Sequence, residues 1–165
     1  MAKAIVIYNS RGGNTKKVAT KIAEGLGAEI VNQKKIPNLK DYNLVVVGTW
    51  VMAGSISPSG KKYLNKLDSE QLKGKKIAMF ISAAGPEDPP LGQGPEAGII
   101  KDLAFDQIQN ILKVKELEVV NERIAIKGAF RIFRFGSGAA NKGMPDENGL
   151  EEAKKFGETL KKYLK

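Results

Sequence analysis

The chain has 165 residues, 42% hydrophobic and 27% charged, which fits a single domain spanning 1–165 with its own apolar core. It contains no cysteine and no histidine, so disulfides, iron–sulfur clusters, thiolate nucleophiles, cysteine-bound zinc and the usual neutral-pH general base are excluded. The net charge of +9 comes entirely from the first half: residues 1–82 carry 14 Lys/Arg against 5 Asp/Glu, and residues 83–165 carry 13 of each.

The pattern alternates between strand and helix. Lys3 to Tyr8 is a short apolar run rich in β-branched residues, read as a buried strand. Its apolar part is too short for a signal-peptide core, and Leu44 to Gly54, the longest apolar stretch, is too short to span a bilayer, so a cytoplasmic protein is expected. From Asn14 to Gly27 the spacing of Val18, Ala19, Ile22, Ala23 and Leu26 predicts a helix, with Gly25 and Gly27 marking its end. Ala28–Asn32 reads as a second strand and Leu44–Gly48 as a third, continuously apolar and so buried on both faces. Lys61–Leu67 reads as a short helix, followed by a polar turn up to Gly74 and a fourth strand over Lys76–Ser82. Gly85 to Gly98 holds four prolines and is read as a long irregular loop. Ile99–Leu112 is a helix, Arg123–Gly128 a fifth strand, and Gly149–Leu164 a closing helix with Asn148 as its N-cap. Strands separated by helices imply an α/β fold with a parallel sheet covered on both faces.

Three segments carry candidate chemistry. The first, Asn9 to Thr15, joins a buried strand to a helix N-terminus, where unpaired N–H groups and the helix dipole favour a phosphate. Gly12 and Gly13 allow close approach, Ser10, Asn14 and Thr15 offer side-chain donors, and Arg11 adds charge. The loop lacks both the G-x-x-x-x-G-K-[ST] and G-x-G-x-x-G spacings, so it is neither an ATPase P-loop nor a nicotinamide fingerprint. A capped helix start with a glycine turn is the plain alternative.

The run from Ile5 to Ala19, a strand, then Ser-Arg-Gly-Gly-Asn-Thr, then a helix, resembles the opening of the flavodoxins. The Gly-Ala-Phe-Arg after the fifth strand and Glu152 to Gly157 resemble the flavodoxin tail, and the former is also similar to flavodoxin-type protoporphyrinogen oxidase. The resemblance implies a flavodoxin-like doubly wound five-stranded parallel sheet of order 2-1-3-4-5, with helices on both faces. It also implies one flavin mononucleotide (FMN), with Ser10, Arg11, Gly12, Gly13, Asn14 and Thr15 at the phosphate; Arg11 departs from the family's usual small residue. Doubly wound sheets, of which this family is itself an example, bind ligands where strand order reverses, here between the first and third strands. The second segment, Thr49, Trp50, Val51, Met52 and Gly54, then contacts the isoalloxazine ring, and Gly54 permits a peptide rearrangement near the reduced flavin. Trp50 can equally be read as a cover for the core. The third segment, Ser82, Ala83, Ala84 and Gly85, covers the other ring face. No aromatic residue lies between Ser82 and Ile100, where many flavodoxins stack a tyrosine, so that face is expected to be open to a partner or substrate.

The function expected is an electron carrier serving redox partner proteins, acidic ones included. An FMN-dependent oxidoreductase of quinone or protoporphyrinogen type and a flavin-free basic binding module are the alternatives. No catalytic side chain and no metal ligand is expected. The basic half reads either as a face for an anionic ligand or partner or as a solvated lysine-rich surface; no aromatics are interleaved to suggest nucleic acid. Phe130 to Phe135, aromatic and basic, reads either as a membrane-docking element or as an edge element. Flavodoxins are typically acidic, so a basic first half should make the second one-electron reduction easier here.

Overall fold

The computed structural model describes residues 1–131 and 139–165. The aromatic-basic reading of Phe130 to Phe135 lies largely outside them. The elements are β1 (Ala4–Tyr8), α1 (Asn14–Leu26), β2 (Glu29–Asn32), β3 (Leu44–Met52), β4 (Ser55–Ile56), α2 (Pro58–Lys66), α3 (Ser69–Leu72), β5 (Lys76–Ala83), α4 (Ile100–Val114), β6 (Glu118–Lys127), β7 (Phe130–Arg131), β8 (Ala139–Ala140) and α5 (Glu147–Leu160).

The main sheet runs β2-β1-β3-β5-β6, all parallel, with β4 added antiparallel to β3. This is the expected order 2-1-3-4-5 with one small strand inserted. Alternate residues of the apolar strands feed two cores. Ile5, Ile7, Val45, Val47, Ile77, Met79 and Ile81 pack with Leu64, Phe105, Ile108 and Leu112, from α2 and α4. Val6, Leu44, Val46, Ala78 and Phe80 pack with Val18, Ile22, Leu26, Ala153, Phe156 and Leu160, from α1 and α5. The period of two in each strand sorts side chains to opposite faces, which is why an unbroken apolar run suits a doubly covered sheet.

Several boundaries differ from the sequence reading, each for a physical reason. β3 does not stop at Gly48: Thr49 pairs with Ile81, Trp50 with Ser82, and Val51 and Met52 with β4. The glycine that looks like a strand end is a packing site, because a Cβ there would lie 2.1 Å from ring atoms of the fully buried Phe80. α2 begins at Pro58, with Ser57 as N-cap accepting from the Gly60 N–H at 2.9 Å, and the polar turn before Gly74 contains the short α3 capped by Asp68. β6 starts five residues earlier than expected, at Glu118; it is an edge strand with a bulge opposite Ile77–Met79, so its sequence lacks a clean apolar run. α5 is capped by Asp146, whose carboxylate accepts from the Gly149 N–H, and not by Asn148; its last turn, Lys161–Leu164, is 3₁₀. Gly25 does not end α1. Gly27 does, in the left-handed conformation (φ 74°), while Gly25 is a contact between helices.

Candidate functional site

The C-terminal ends of β1 and β3 are neighbours that lead to opposite faces of the sheet, α1 on one and α2 on the other. The crevice between their loops is the place such sheets offer a ligand. Seen from the residues upward, one side of it is the turn from Ser10 to Asn14. Gly13, at φ 94°, donates its N–H to the Ser10 hydroxyl at 3.0 Å, which leaves that hydroxyl its own proton to donate. The first helical hydrogen bond is Lys17 N–H to the Gly13 carbonyl, 3.0 Å. The N–H groups of Asn14, Thr15 and Lys16 therefore precede the ladder, and among the described residues none meets a protein acceptor. At Gly12 and Gly13 no atom of the described residues lies within 4 Å of where a Cβ would stand, so the backbone is open to close approach. Arg11 is exposed and sits over the half-buried Trp50, its guanidinium 5.9 Å from the ring centroid.

The side chains of Asn14 and Thr15 point elsewhere. The Asn14 amide donates to the Ala129 carbonyl at 2.9 Å. The Thr15 hydroxyl shares a 2.7 Å hydrogen bond with that of Ser82, and the two residues are only 1% and 3% exposed. Both tie α1 to neighbouring loops, so what they offer an incoming anion is backbone N–H.

Thr49 is fully buried and belongs to a network that the sequence reading missed. Its hydroxyl donates to Asn9 Oδ1 at 3.0 Å; Ser57 donates to the same oxygen at 2.8 Å, and the Asn9 amide donates to the Ser59 hydroxyl at 3.0 Å. The network fastens the end of β1 to the end of β3 and the first turn of α2. The fully buried Gly48 carbonyl accepts from the Tyr63 phenol at 2.8 Å, and burial pushes that phenol well above its usual range. Of these partners only Ser57 carries a sequence signal: Ser-Pro before a helical stretch is a start signature.

Beyond Trp50, β3 turns into β4 through Ala53 (φ 51°) and Gly54 (φ 80°). Both central residues of this two-residue hairpin have positive φ, the geometry that matches strand twist. A Cβ on Gly54 would lie 2.8 Å from Pro90, so the hairpin abuts the loop after β5. That loop is built of turns, its Asp88 carbonyl and Pro86 carbonyl accepting from Ile100 and Lys101 at the start of α4. Ala83 is buried at the end of β5, Ala84 and Gly85 half-buried beyond it, and the Asn141 amide donates to the Ala84 carbonyl.

The structure thus brings Ser10–Thr15, Trp50 and the end of β5 around one crest. A separate cleft of about 400 Å³ opens beyond Gly85, between the end of β6 and the start of α5. Its lining of Glu87, Asp88, Asp146 and Glu152 against Lys127 has the wrong sign for a phosphate. Among the described residues no cluster of metal-ligating side chains is found, and no helix is long and apolar enough to cross a membrane.

Comparison with known proteins places this geometry in a family. The model of the flavodoxin domain matches residues 5–119. An uncharacterized protein of Methanocaldococcus jannaschii is 28% identical over 97% of this chain and 99% of its own length. An NAD(P)H dehydrogenase (quinone) of Archaeoglobus fulgidus is 26% identical over 97% of this chain and 96% of its own. Among solved structures, a flavodoxin from the domain Archaea superposes with a TM-score of 0.67 at 20% identity, covering 98% of each chain. Matched over most of its length by the domain model, the chain belongs to the flavodoxin family.

Proposed function

We propose that this protein binds one FMN at the crest and passes electrons through it to partner proteins. The observation that carries this reading is the first turn of α1: three consecutive N–H groups that meet no acceptor among the described residues, behind a glycine pair open to close approach. Those residues suit a phosphomonoester. Ser10, Arg11, Gly12, Gly13, Asn14 and Thr15 would hold it, chiefly through backbone N–H groups, while Thr49–Met52 with Gly54 and Ser82–Gly85 would flank the ring system. When bound, FMN would supply reversible electron uptake, and the chain, without cysteine, has no thiol–disulfide couple of its own. The chain's part is to fix the loops and present the edge of the ring. The buried hydroxyl and amide bonds at Asn9, Thr49, Ser57, Thr15 and Ser82 do the former.

The test is direct. Flavin-free protein is mixed with FMN, passed over gel filtration and scanned; about one flavin per chain should travel with it, and flavin eluting free would overturn the reading. Gly12→Glu, which sets a carboxylate against the phosphate, should weaken FMN binding at least about tenfold with an unchanged circular dichroism spectrum.

A second reading, an FMN-dependent quinone reductase, is favoured by the Archaeoglobus relative and by the run from Ala83 to Ile99, which offers no aromatic cover for the outer ring face. Turnover of a quinone by NADH or NADPH with no added protein separates it from a carrier.

A further inference from the structure

Two exposed apolar side chains stand at the crest. Leu91, at the tip of the loop after β5, is 97% exposed, and Met52, beside the hairpin turn, is 40% exposed. The contact between Gly54 and Pro90 makes these two tips neighbours. Among the described residues the other exposed large hydrophobics are Met1 and Val114, at the opposite end of the strands and of α4, and Ile30 on the edge strand β2. Around the β1/β3 half of the same crest lie Arg11 in the phosphate loop, Lys16 and Lys17 on the first turn of α1, and Lys61 and Lys62 near the start of α2, all exposed. The hydrogen bond from Asn9 to Ser59 ties the end of β1 to the first turn of α2, so the two helix starts that carry these cations adjoin at the same crest. Among the described residues none of the five is paired with a carboxylate. The β5/β6 half is mixed in sign among the described residues, with Glu87, Asp88, Glu96, Asp146 and Glu147 exposed alongside Lys127 and Lys142, and Glu87 paired with Lys101.

We infer that the β1/β3 half of the crest, with Met52 and with Arg11, Lys16, Lys17, Lys61 and Lys62, together with the neighbouring tip Leu91 of the loop after β5, is the docking face for an acidic electron-transfer protein. The inference rests on the electron-transfer reading above. Isolated apolar tips beside a patch of unpaired cations suit a weak, fast complex, in which charge steers the encounter and a small dry contact orients it. A chain carrying net +9 repels copies of itself, so a second copy is the poorer occupant.

The test uses FMN-loaded, ¹⁵N-labelled protein titrated with the acidic soluble domain of cytochrome b5, and separately with basic cytochrome c. Amide shifts should cluster at residues 11–17, 52–62 and 91 with the acidic probe alone, and raising the salt from low to several times physiological should weaken binding at least about tenfold. Lys61→Glu with Lys62→Glu should weaken it about tenfold while flavin stoichiometry holds. Lys66→Glu with Lys73→Glu, the same charge change at the far end of α2 and beyond α3, should change it less than about threefold. Leu91→Ser should weaken it without altering its salt dependence. Equal losses from both double variants, scattered shifts, preference for the basic probe, or self-association through the same residues would overturn the inference. The titration is repeated on flavin-free protein, so failure to retain FMN counts against the cofactor reading, and loss of docking on folded protein against this one.

Discussion

Replacing Gly157 by alanine should destabilise the protein, although alanine is the better helix former. In an exposed helix interior the substitution would gain about 1 kcal/mol. Gly157, however, lies where α5 crosses α1: a Cβ there would stand 2.2 Å from the Ile22 carbonyl oxygen and 2.9 Å from the Leu26 nitrogen. Gly25 reciprocates from the other helix, its absent Cβ 2.0 Å from the Lys154 carbonyl. The obstacles are backbone atoms, so no rotamer change relieves them. Ordinary contact needs about 3.5 Å, and the helices must part by about 1 Å, which forfeits a quarter to a half of each dispersion contact across the seam. That seam includes the buried Val18, Ile22, Leu26, Ala153, Phe156 and Leu160. With overpacking at the upper end of its usual range, about 3 kcal/mol, the net loss is about 2 kcal/mol, or a fall in Tm of about 4–8 °C for a chain of this size.

Urea unfolding followed by far-ultraviolet circular dichroism measures this, with an unchanged slope showing that the native state stays compact. Gly149→Ala is the internal control. It lies in the same helix, but its Cβ would meet side-chain atoms and no backbone, the Ile126 methyl at 3.3 Å and Asp146 Oδ1 and Pro145 Cβ at 3.5 and 3.7 Å, and it should be neutral or slightly stabilising. If Gly157→Ala stabilises as much as the control, the close crossing of α1 and α5 is wrong.

Three further outcomes are expected. Glu122 accepts hydrogen bonds from Lys162 and Tyr163, which hold its carboxyl down at about 2 against a usual 4.5. Its contribution is present above pH 4.5 and lost as pH falls toward 2, and Glu122→Gln should flatten the acid limb of stability by about 1 kcal/mol once partial exposure is discounted. Ala53→Gly should stabilise by about 0.5–1 kcal/mol, because Ala53 holds φ 51° in a two-residue turn, and thermal melting checks it. A basic rim should favour the fully reduced, anionic flavin; each charge about 10 Å away is worth about 0.4 kcal/mol, about 20 mV, in a water-like dielectric. Lys61→Glu with Lys62→Glu should therefore lower the second reduction potential by tens of millivolts in a low-salt redox titration, and an unchanged potential would refute the charge argument.

What the sequence makes legible follows from how locally each feature is encoded. β1 and β5 are unbroken apolar runs with turn signals at both ends, and they stand where the pattern puts them. The tail of β3 looks like loop in sequence because Gly48 interrupts it, yet that glycine makes room for the Phe80 ring on the neighbouring strand, a partner 32 positions away in sequence. β6 hides because an edge strand buries little and its bulge breaks the alternation. Gly25 and Gly27 look alike in sequence, and only the approach of α5 distinguishes a packing glycine from a terminating one.

The loop from Asn9 to Thr15 is legible for the opposite reason: strand, glycine pair and helix start are contiguous, and the donors they present belong to the backbone. Its hydroxyl and amide side chains were harder to place. Thr15 and Asn14 read as ligand donors by type, but their hydrogen bonds run to Ser82 and Ala129, and Thr49 is spent on Asn9. The crest divides its labour accordingly. Side-chain hydrogen bonds join loops that are far apart in the chain and hold them in place, and among the described residues the first-turn N–H groups meet no protein acceptor. Such a scaffold meets little ordering cost when a ligand arrives. It also makes side-chain identity at Asn9, Thr49 and Ser57 matter more to the shape of the crevice than to contact with what fills it.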